Sequence, residues 1–215
     1  FVYQGDEKGF RRINMRQVGI EIPKVDVLEK ALGEANYGAD LPSRDPIYLK
    51  VVRSPKPHAK IVRIEMGEAL KGPGVERVFT AKDIPGKNQV GTITKDQPIL
   101  ASDRVRYIGD PVALIAAKTE ETAEEAAQRL VVVYEDLPSV THPEEALQPH
   151  APMIHEKGNL LLEFHVVKGD VQKGFKDSEV IVEETYTTTW VDHAYLEPDA
   201  GISYLDEEGR ITVVC

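Results

Sequence analysis

The sequence predicts an α+β fold from three patterns. Residues 112–117 form a short, uninterrupted apolar run, which is typical of a strand buried on both faces. A Glu- and Ala-rich segment follows it, with its apolar residues on one helical face: Ala123, Ala126, Ala127 and Leu130. Elsewhere, apolar and polar residues alternate over short stretches bounded by Gly and Pro, which favours strands.

In the first two thirds of the chain the same patterns place each element. Residues 66–71 are predicted as a short helical turn that ends at Gly72, and residues 82–100 as a long loop. A capping box at 122–125 predicts the start of the helix, and the whole resembles a βαβ unit. Strands are predicted at 48–53, 59–64, 75–80, 112–117 and 130–134.

The last third predicts a second region. A Pro- and His-containing stretch near 138–159 is typical of a connector, and alternation then returns. Strands are predicted at 161–167, 180–189 and 202–214, with a short helix at 171–176. The predicted organisation is an N-terminal arm, a first domain, a connector and an incomplete second domain, at residues 1–30, 31–140, 141–158 and 159–215.

Composition limits the classes of function. The formal net charge of -10 opposes binding to a phosphate backbone, so we expect no nucleic-acid partner. We find no apolar run of the roughly 18 to 20 residues needed for a membrane span and no signal-peptide pattern, so we expect no membrane partner and a cytoplasmic location. The one cysteine, Cys215, excludes an internal disulfide and a multi-thiolate metal site in this segment.

The ends of the sequence lead to an expectation about its extent. The chain starts at Phe1 and stops at Cys215 within a strand-like apolar run, whose edge would be exposed. We expect a fragment of a longer polypeptide. The alternative is a natural short subunit whose last strand pairs with a partner chain.

Seven ordered motifs indicate a family. They include Gly-Asp-Pro-Val-Ala at 109–113 and His-Ala-Tyr-Leu-Glu-Pro at 193–198. The motifs lie at 33–41, 53–61, 73–84, 105–113, 133–138, 169–175 and 193–198. Together they resemble the molybdenum-binding large subunit of the xanthine dehydrogenase and aldehyde oxidase family, over roughly residues 17–215. The resemblance implies an α/β hammerhead domain followed by the mainly β start of a molybdopterin-binding domain.

The resemblance also implies a reaction and its cofactors. Enzymes of this family hydroxylate an aldehyde or a heteroaromatic carbon with oxygen from water, using a molybdenum-molybdopterin centre and a glutamate base. Electrons leave through iron-sulfur clusters, usually to FAD, on other domains or subunits. The family's molybdenum-proximal Gln motif and catalytic Glu would lie beyond Cys215. We therefore expect the 215-residue segment to bind no cofactor and to be inactive by itself.

Only one segment is a candidate for substrate contact. By its position before residues 97–103, the loop 91–96 is similar to the family loop that lines the substrate funnel, so Ile93 and Thr94 are predicted substrate-binding residues. The alternative is an exposed loop that touches a neighbouring domain. No catalytic residue and no metal ligand is assigned: Glu197 precedes Pro and is interpreted as structural, and the histidines lack ligand spacing.

Two hypotheses about function follow. In the first, the chain is part of a molybdenum hydroxylase and contributes a scaffold and a candidate funnel wall, while the remainder of the molybdenum-binding chain holds the cofactor. In the second, it is a non-catalytic interaction module that docks an iron-sulfur or other subunit. The sequence leaves the substrate, the electron acceptor and the oligomeric state open.

Overall fold

The computed structural model describes residues 24–41, 45–92, 94–195 and 199–215. The chain divides into two compact units, residues 44–188 and residues 1–43 with 189–215. In chain order the helices and strands are α1 (Val27–Leu32), β1 (Tyr48–Arg53), β2 (Ala59–Glu65), β3 (Val75–Thr80), β4 (Arg104–Val105), β5 (Pro111–Ala117), α2 (Glu120–Arg129), β6 (Val131–Asp136), α3 (Pro143–Ala146), α4 (Val171–Asp177), β7 (Ile202–Leu205) and β8 (Ile211–Val214). The predicted mixed α+β class is confirmed.

Two antiparallel sheets make up the larger unit. The first has the order β1-β5-β3 and the second has the order β4-β2-β6. Strand β5 is central in the first sheet, and Val112, Ala113 and Ile115 are fully buried, because core residues cover both of its faces. The prediction of a doubly buried strand is confirmed at this position.

Helix α2 covers one face of the first sheet. Ala126 and Leu130 pack into the same core cluster as Val78, Ala113 and Ile115. The alanines matter here because their small side chains let the helix backbone approach the sheet closely. The predicted apolar helical face is therefore the face that forms the core.

The predicted βαβ arrangement is wrong. Strands β5 and β6 flank α2 in sequence, but they lie in different sheets and pair antiparallel with other strands. The predicted start of the helix is also wrong by three residues. Thr119 is the N-cap, and its hydroxyl accepts a hydrogen bond from the Thr122 backbone N–H at 3.1 Å, because a β-branched hydroxyl residue in extended conformation directly precedes the helix.

Residues 160–188 differ from the rest of the larger unit. The short helix α4 is present as predicted, but the strand predictions at 161–167 and 180–189 are wrong: these described residues form no strand. Their apolar side chains are solvent-exposed, with Phe164 80% and Val182 78% accessible. The alternation is real, but a strand needs a partner for its backbone hydrogen bonds, and no neighbouring strand lies beside them in the described chain. We call residues 45–138 the packed region and residues 160–188 the open region.

The smaller unit contains α1 and an antiparallel hairpin. The strand pattern predicted at 202–214 forms two strands, β7 and β8, paired from Ile202 with Val214 to Leu205 with Ile211. Asp206 closes the turn by accepting hydrogen bonds from the backbone N–H groups of Glu208 and Arg210 at 3.0 and 2.9 Å. An Asp at the start of a Gly-containing turn favours this closure.

Candidate functional site

One asparagine closes the base of the long loop before β4. The Asn88 side-chain Nδ2 donates to the Leu100 carbonyl at 2.7 Å, and its Oδ1 accepts from the backbone N–H groups of Ile99 and Leu100 at 2.9 and 3.1 Å. Both ends of the amide are used, and Asn88 is half-buried. The two arms of the loop are therefore held together by hydrogen bonds from one side chain, whereas the strands of a sheet are held together by backbone hydrogen bonds.

Above this base the loop narrows to a short hairpin. Val90 and Gln97 form one antiparallel bridge, with N···O distances of 2.7 and 3.2 Å. Gly91 has a φ of 146°, and a Cβ at this position would lie 1.9 Å from the Thr94 carbonyl oxygen. Only glycine fits this close approach. We call residues 91–96 the loop tip.

The predicted substrate residues belong to this tip. Thr94 is exposed there, while Ile93 lies outside the described residues. Asp96 Oδ2 lies 3.9 Å from His155 Nδ1, and both side chains are about half exposed. An exposed tip agrees with either hypothesis, because a funnel wall and a domain contact both need accessible side chains.

A turn beside the loop provides a second brace. The Gln97 side-chain Nε2 donates to the Tyr107 hydroxyl at 3.3 Å. Tyr107 lies in a turn that Asp110 holds, because Asp110 Oδ2 accepts from the Arg106 backbone N–H at 2.9 Å. Arg106 in turn donates from Nε to the Ile154 carbonyl at 3.3 Å. The loop, the turn and the connector are thus joined through single hydrogen bonds.

Asp110 is the most unusual titratable group of the packed region. It is 1% exposed, and its Oδ1 has no hydrogen-bond partner among the described residues. Burial raises the pKa of the Asp110 carboxyl above its ordinary value, and the hydrogen bond from the Arg106 backbone and the Arg106 charge offset this only partly. An orphaned buried acceptor of this kind is costly for the fold.

Three further polar side chains of the packed region, Ser54, His58 and Tyr134, are buried or half-buried. The Ser54 backbone N–H donates to the Asp110 carbonyl at 2.9 Å, and the Gly109 N–H donates to the Ser54 carbonyl at 2.7 Å. Burial raises the pKa of the Tyr134 hydroxyl, against the effect of a hydrogen bond with Ser54. His58 Nδ1 donates to the Pro138 carbonyl at 2.6 Å, while its buried Nε2 has no partner in the described chain. The two Ser54 backbone hydrogen bonds fix the turn to the end of β1.

An apolar groove lies on the face of the first sheet that α2 does not cover. Val51, Leu114 and Phe79 stand side by side across β1, β5 and β3, and the groove has a volume of about 580 Å³. Ile99 and Leu100, which Asn88 holds, form part of its wall. The base of the loop therefore shapes the groove as well as the tip.

Models of two protein families match the chain in tandem. Residues 32–138 match the family described as aldehyde oxidase and xanthine dehydrogenase, a/b hammerhead domain. Residues 154–215 match the family described as molybdopterin cofactor-binding domain. The chain belongs to the xanthine dehydrogenase and aldehyde oxidase large-subunit family. It carries the hammerhead domain and the start of the molybdopterin-binding domain, as the motifs predicted.

Two relatives support this membership. The chain is 43% identical over 191 residues to the nicotinate dehydrogenase large molybdopterin subunit of Eubacterium barkeri, covering 89% of this chain and 45% of that protein. It is 34% identical over 202 residues to the xanthine dehydrogenase molybdenum-binding subunit of Escherichia coli O157:H7, covering 89% and 27%. The chain thus spans less than half of the length of these curated relatives.

A solved structure of the family has the same fold. The aldehyde oxidoreductase from Desulfovibrio gigas superposes with a TM-score of 0.81 at 32% identity, over 89% of this chain and 23% of that one. The agreement covers both sequence and fold, so it supports homology and not only a shared architecture.

The described residues contain no cluster of three His, Cys, Asp or Glu side chains arranged to hold a metal ion. Among them, Arg53 is the one cation in the lining of the apolar groove. We therefore assign no cofactor ligand and derive no catalytic step through molybdenum. Within the described parts of the chain, every helix is too short or too polar to cross a bilayer.

Sequence reasoning missed the residues that shape this family member's loop. Asn88 and Tyr107 gave no signal, since an isolated Asn or Tyr in a loop is a common occurrence. Asp110 was interpreted as part of the family motif Gly-Asp-Pro-Val-Ala at 109–113, and its burial was not predicted. Its position directly before a fully apolar strand was the available signal, because a carboxylate entering a core must be hydrogen-bonded.

Proposed function

We propose that the chain is the N-terminal part of a molybdenum hydroxylase that oxidises an aldehyde or a heteroaromatic carbon with oxygen from water. The tandem match of a hammerhead domain and the start of a molybdopterin-binding domain carries this proposal. The chain itself contributes a rigid scaffold, in which two sheets and a helix hold an exposed loop in place. The remainder of the molybdenum-binding chain supplies the cofactor site.

Nicotinate is the substrate that we would test first within this class. Identity to the nicotinate dehydrogenase subunit is 43%, whereas identity to the aldehyde oxidoreductase of Megalodesulfovibrio gigas is 34% over 206 residues. Both alignments cover 89% of this chain, so the comparison concerns the same part of the molecule.

The loop tip is the proposed funnel wall, with Ile93 and Thr94 as substrate contacts. The exposure of Thr94 and the two braces on the loop support this role, because a substrate contact must be accessible and also held in position.

Its partners are proposed to be subunits or domains with iron-sulfur clusters and FAD. Its relatives include proteins named as molybdopterin or molybdenum-binding subunits, which belong to multi-subunit enzymes. The cytoplasmic location and the absence of nucleic-acid and membrane partners stay predictions from composition.

The second candidate function is a non-catalytic docking module. The apolar groove and the exposed apolar side chains of the open region favour it, since such surfaces are typical of protein contacts.

Metal content and kinetics of the complete protein separate the two candidates. We would purify the native molybdenum-binding polypeptide with its associated subunits, measure molybdenum, and assay nicotinate and a small aldehyde with an artificial electron acceptor. Molybdenum with turnover of the heteroaromatic acid supports the first function. A purified complex without molybdenum and without turnover overturns it and supports docking.

Variants of the loop tip test the funnel role. In the complete enzyme, Ile93→Ala and Thr94→Ala are expected to change KM for small and bulky substrates unequally while kcat changes little, because the tip contacts substrate outside the reacting atoms. Kinetic constants equal to those of the wild type for both substrates would reject the role.

A further inference from the structure

We propose that Asn88 is the positioning residue of the loop tip and that, through the tip, it sets the substrate preference of the complete enzyme. The second half of this statement rests on the proposed funnel role of residues 91–96. The first half rests only on the contacts of Asn88.

Asn88 makes more connections across the loop than any other side chain in its described part. Its amide donates to Leu100 and accepts from Ile99 and Leu100, at 2.7 to 3.1 Å. These three bonds join residues separated by eleven or twelve positions. Such a link shortens the free loop and lowers the number of conformations that the tip can adopt.

Above Asn88 the loop has little else to hold its shape in the described chain. One bridge, Val90 with Gln97, supplies two backbone hydrogen bonds. A further side-chain brace is the 3.3 Å bond from Gln97 to Tyr107, which is at the long end of hydrogen-bond geometry. Asp96 in the tip lies 3.9 Å from His155, which is beyond hydrogen-bond distance. The three shorter bonds of Asn88 are therefore the main side-chain restraint on the described part of the loop.

Asn88 acts from the foot of the loop, outside the proposed substrate contacts. It is half-buried, and its hydrogen bonds go to backbone groups of residues 99 and 100. Its effect on substrate must therefore pass through the loop, which makes it a positioning residue. The expected kinetic signature is a change in KM that depends on substrate size.

The test compares three variants of the complete enzyme. Asn88→Ala removes all three bonds. Asn88→Asp keeps an acceptor for Ile99 and Leu100 but places a carboxylate oxygen against the Leu100 carbonyl. Gln89→Ala is the matched control, because Gln89 is the next residue, also carries an amide, and has an exposed position at the same level of the loop.

Hydrogen exchange of the backbone measures positioning directly. In Asn88→Ala, amides of residues 89–100 should exchange on the order of tenfold faster, because loss of hydrogen bonds at the base lets the loop open more often. Asn88→Asp should lie between Asn88→Ala and the wild type, and Gln89→Ala should match the wild type. Unchanged exchange in Asn88→Ala overturns the proposal.

Kinetics with a small and a bulky substrate measure the second half. Asn88→Ala should change the ratio of the two KM values by roughly threefold or more, with kcat of each within about twofold of the wild type. Faster exchange with unchanged KM values overturns the effect of Asn88 on substrate preference, while it supports positioning. The funnel role itself is tested separately by Ile93→Ala and Thr94→Ala. If Asn88→Ala fails to fold, Asn88→Asp carries the same comparison, with smaller expected changes.

Discussion

The packed region and the open region contain similar apolar patterns, yet they bury them very differently. Val112 and Ile115 in the packed region are fully buried, whereas Val180 and Val182 in the open region are each 78% exposed. The sequences of both regions predict strands. The difference shows that a strand pattern becomes a strand only where a second strand is available to accept its backbone hydrogen bonds.

Partner strands lie beside the strand pattern in the packed region but not beside the described residues of the open region. Strand β5 has β1 on one side and β3 on the other, and α2 packs on one of its faces. In the open region, α4 is the one regular element among the described residues, and none of its residues is buried. Both three-stranded sheets, α2 and the two core clusters lie within the packed region, so its stability should be measurable in the 215-residue chain.

The strongest test of this comparison removes the same atoms from each region. Ile115→Ala should lower the free energy of unfolding by about 2 to 5 kcal/mol, because Ile115 is fully buried in the centre of the first sheet. Ile181→Ala, at a side chain that is 58% exposed, is the matched control and should change it by less than about 0.5 kcal/mol. Urea denaturation of the 215-residue chain gives both values. Equal losses would mean that the open region has a core of its own.

Glycine substitutions test whether the backbone of the loop in the packed region is as tightly constrained as the backbone of its strands. Gly91→Ala should destabilise the chain by about 1 to 3 kcal/mol, since a Cβ there meets the Thr94 carbonyl and the φ is positive. Gly174→Ala in α4 should instead raise helicity, because nothing lies within 4 Å of its Cβ and Ala favours helix. Urea denaturation measures the stability of Gly91→Ala, and far-UV circular dichroism measures the helicity of Gly174→Ala. A harmless Gly91→Ala would show that the tip is loosely held.

The pH dependence of stability tests the buried carboxylate. Burial raises the pKa of Asp110 above its value in the unfolded chain, so the Asp110 carboxyl binds its proton more tightly in the folded state than in the unfolded state. This contribution is fully present below the unfolded-state pKa and is lost as pH rises through the folded-state pKa. An asparagine side chain cannot ionise, so the stability of Asp110→Asn relative to the wild type should increase with pH across that window.

Urea denaturation from about pH 2 to about pH 7 measures this difference and also covers the range below the ordinary pKa of an aspartate. Asp83→Asn provides a control of opposite sign. The hydrogen bond from the Thr80 backbone lowers the pKa of Asp83, so the wild type loses that contribution as pH falls through the lowered pKa. A constant difference between Asp110→Asn and the wild type would show that Asp110 keeps an ordinary pKa.

The smallest expected effect concerns a surface ion pair. Lys50 on β1 pairs with Glu124 on α2, and both side chains are 44% exposed. Lys50→Ala should cost about 0.2 to 1 kcal/mol, and less in high salt. Lys168→Ala in the open region is the comparison, with no measurable cost expected. Urea denaturation at low and high salt checks both, and a larger loss at Lys168 would contradict the division into two regions.

How much the sequence predicts depends on whether the deciding contacts are local. The bounds of β1, β3 and α4 follow closely from alternation and turn residues, because these signals lie within the elements themselves. The pairing of β5 and β6 with strands of different sheets cannot be predicted from the sequence in this way, since no local pattern indicates which strand pairs with which. The family motifs identified the fold where periodicity could not, because they combine information from seven separate positions along the chain.

The candidate site shows the same limit. The loop before β4 was predicted, and with it the tip that contains Thr94. The role of Asn88 was not, because it depends on the arrival of residues 99 and 100 beside it. Asp110 was missed for a related reason: its burial is set by the sheets that fold around it.

Asn159 gives the connector a property that concerns evolution more than stability. Its Nδ2 donates to the carbonyls of Ala146 and Pro152 at 3.0 and 2.9 Å, and its Oδ1 accepts from the Ile154 N–H at 2.9 Å. Residues 147–151 therefore form a loop whose two ends are held together by the Asn159 side chain. Insertions and deletions in this loop would leave the position of Asn159 unchanged. The length of the connector can therefore vary during evolution while the junction at Asn159 stays the same.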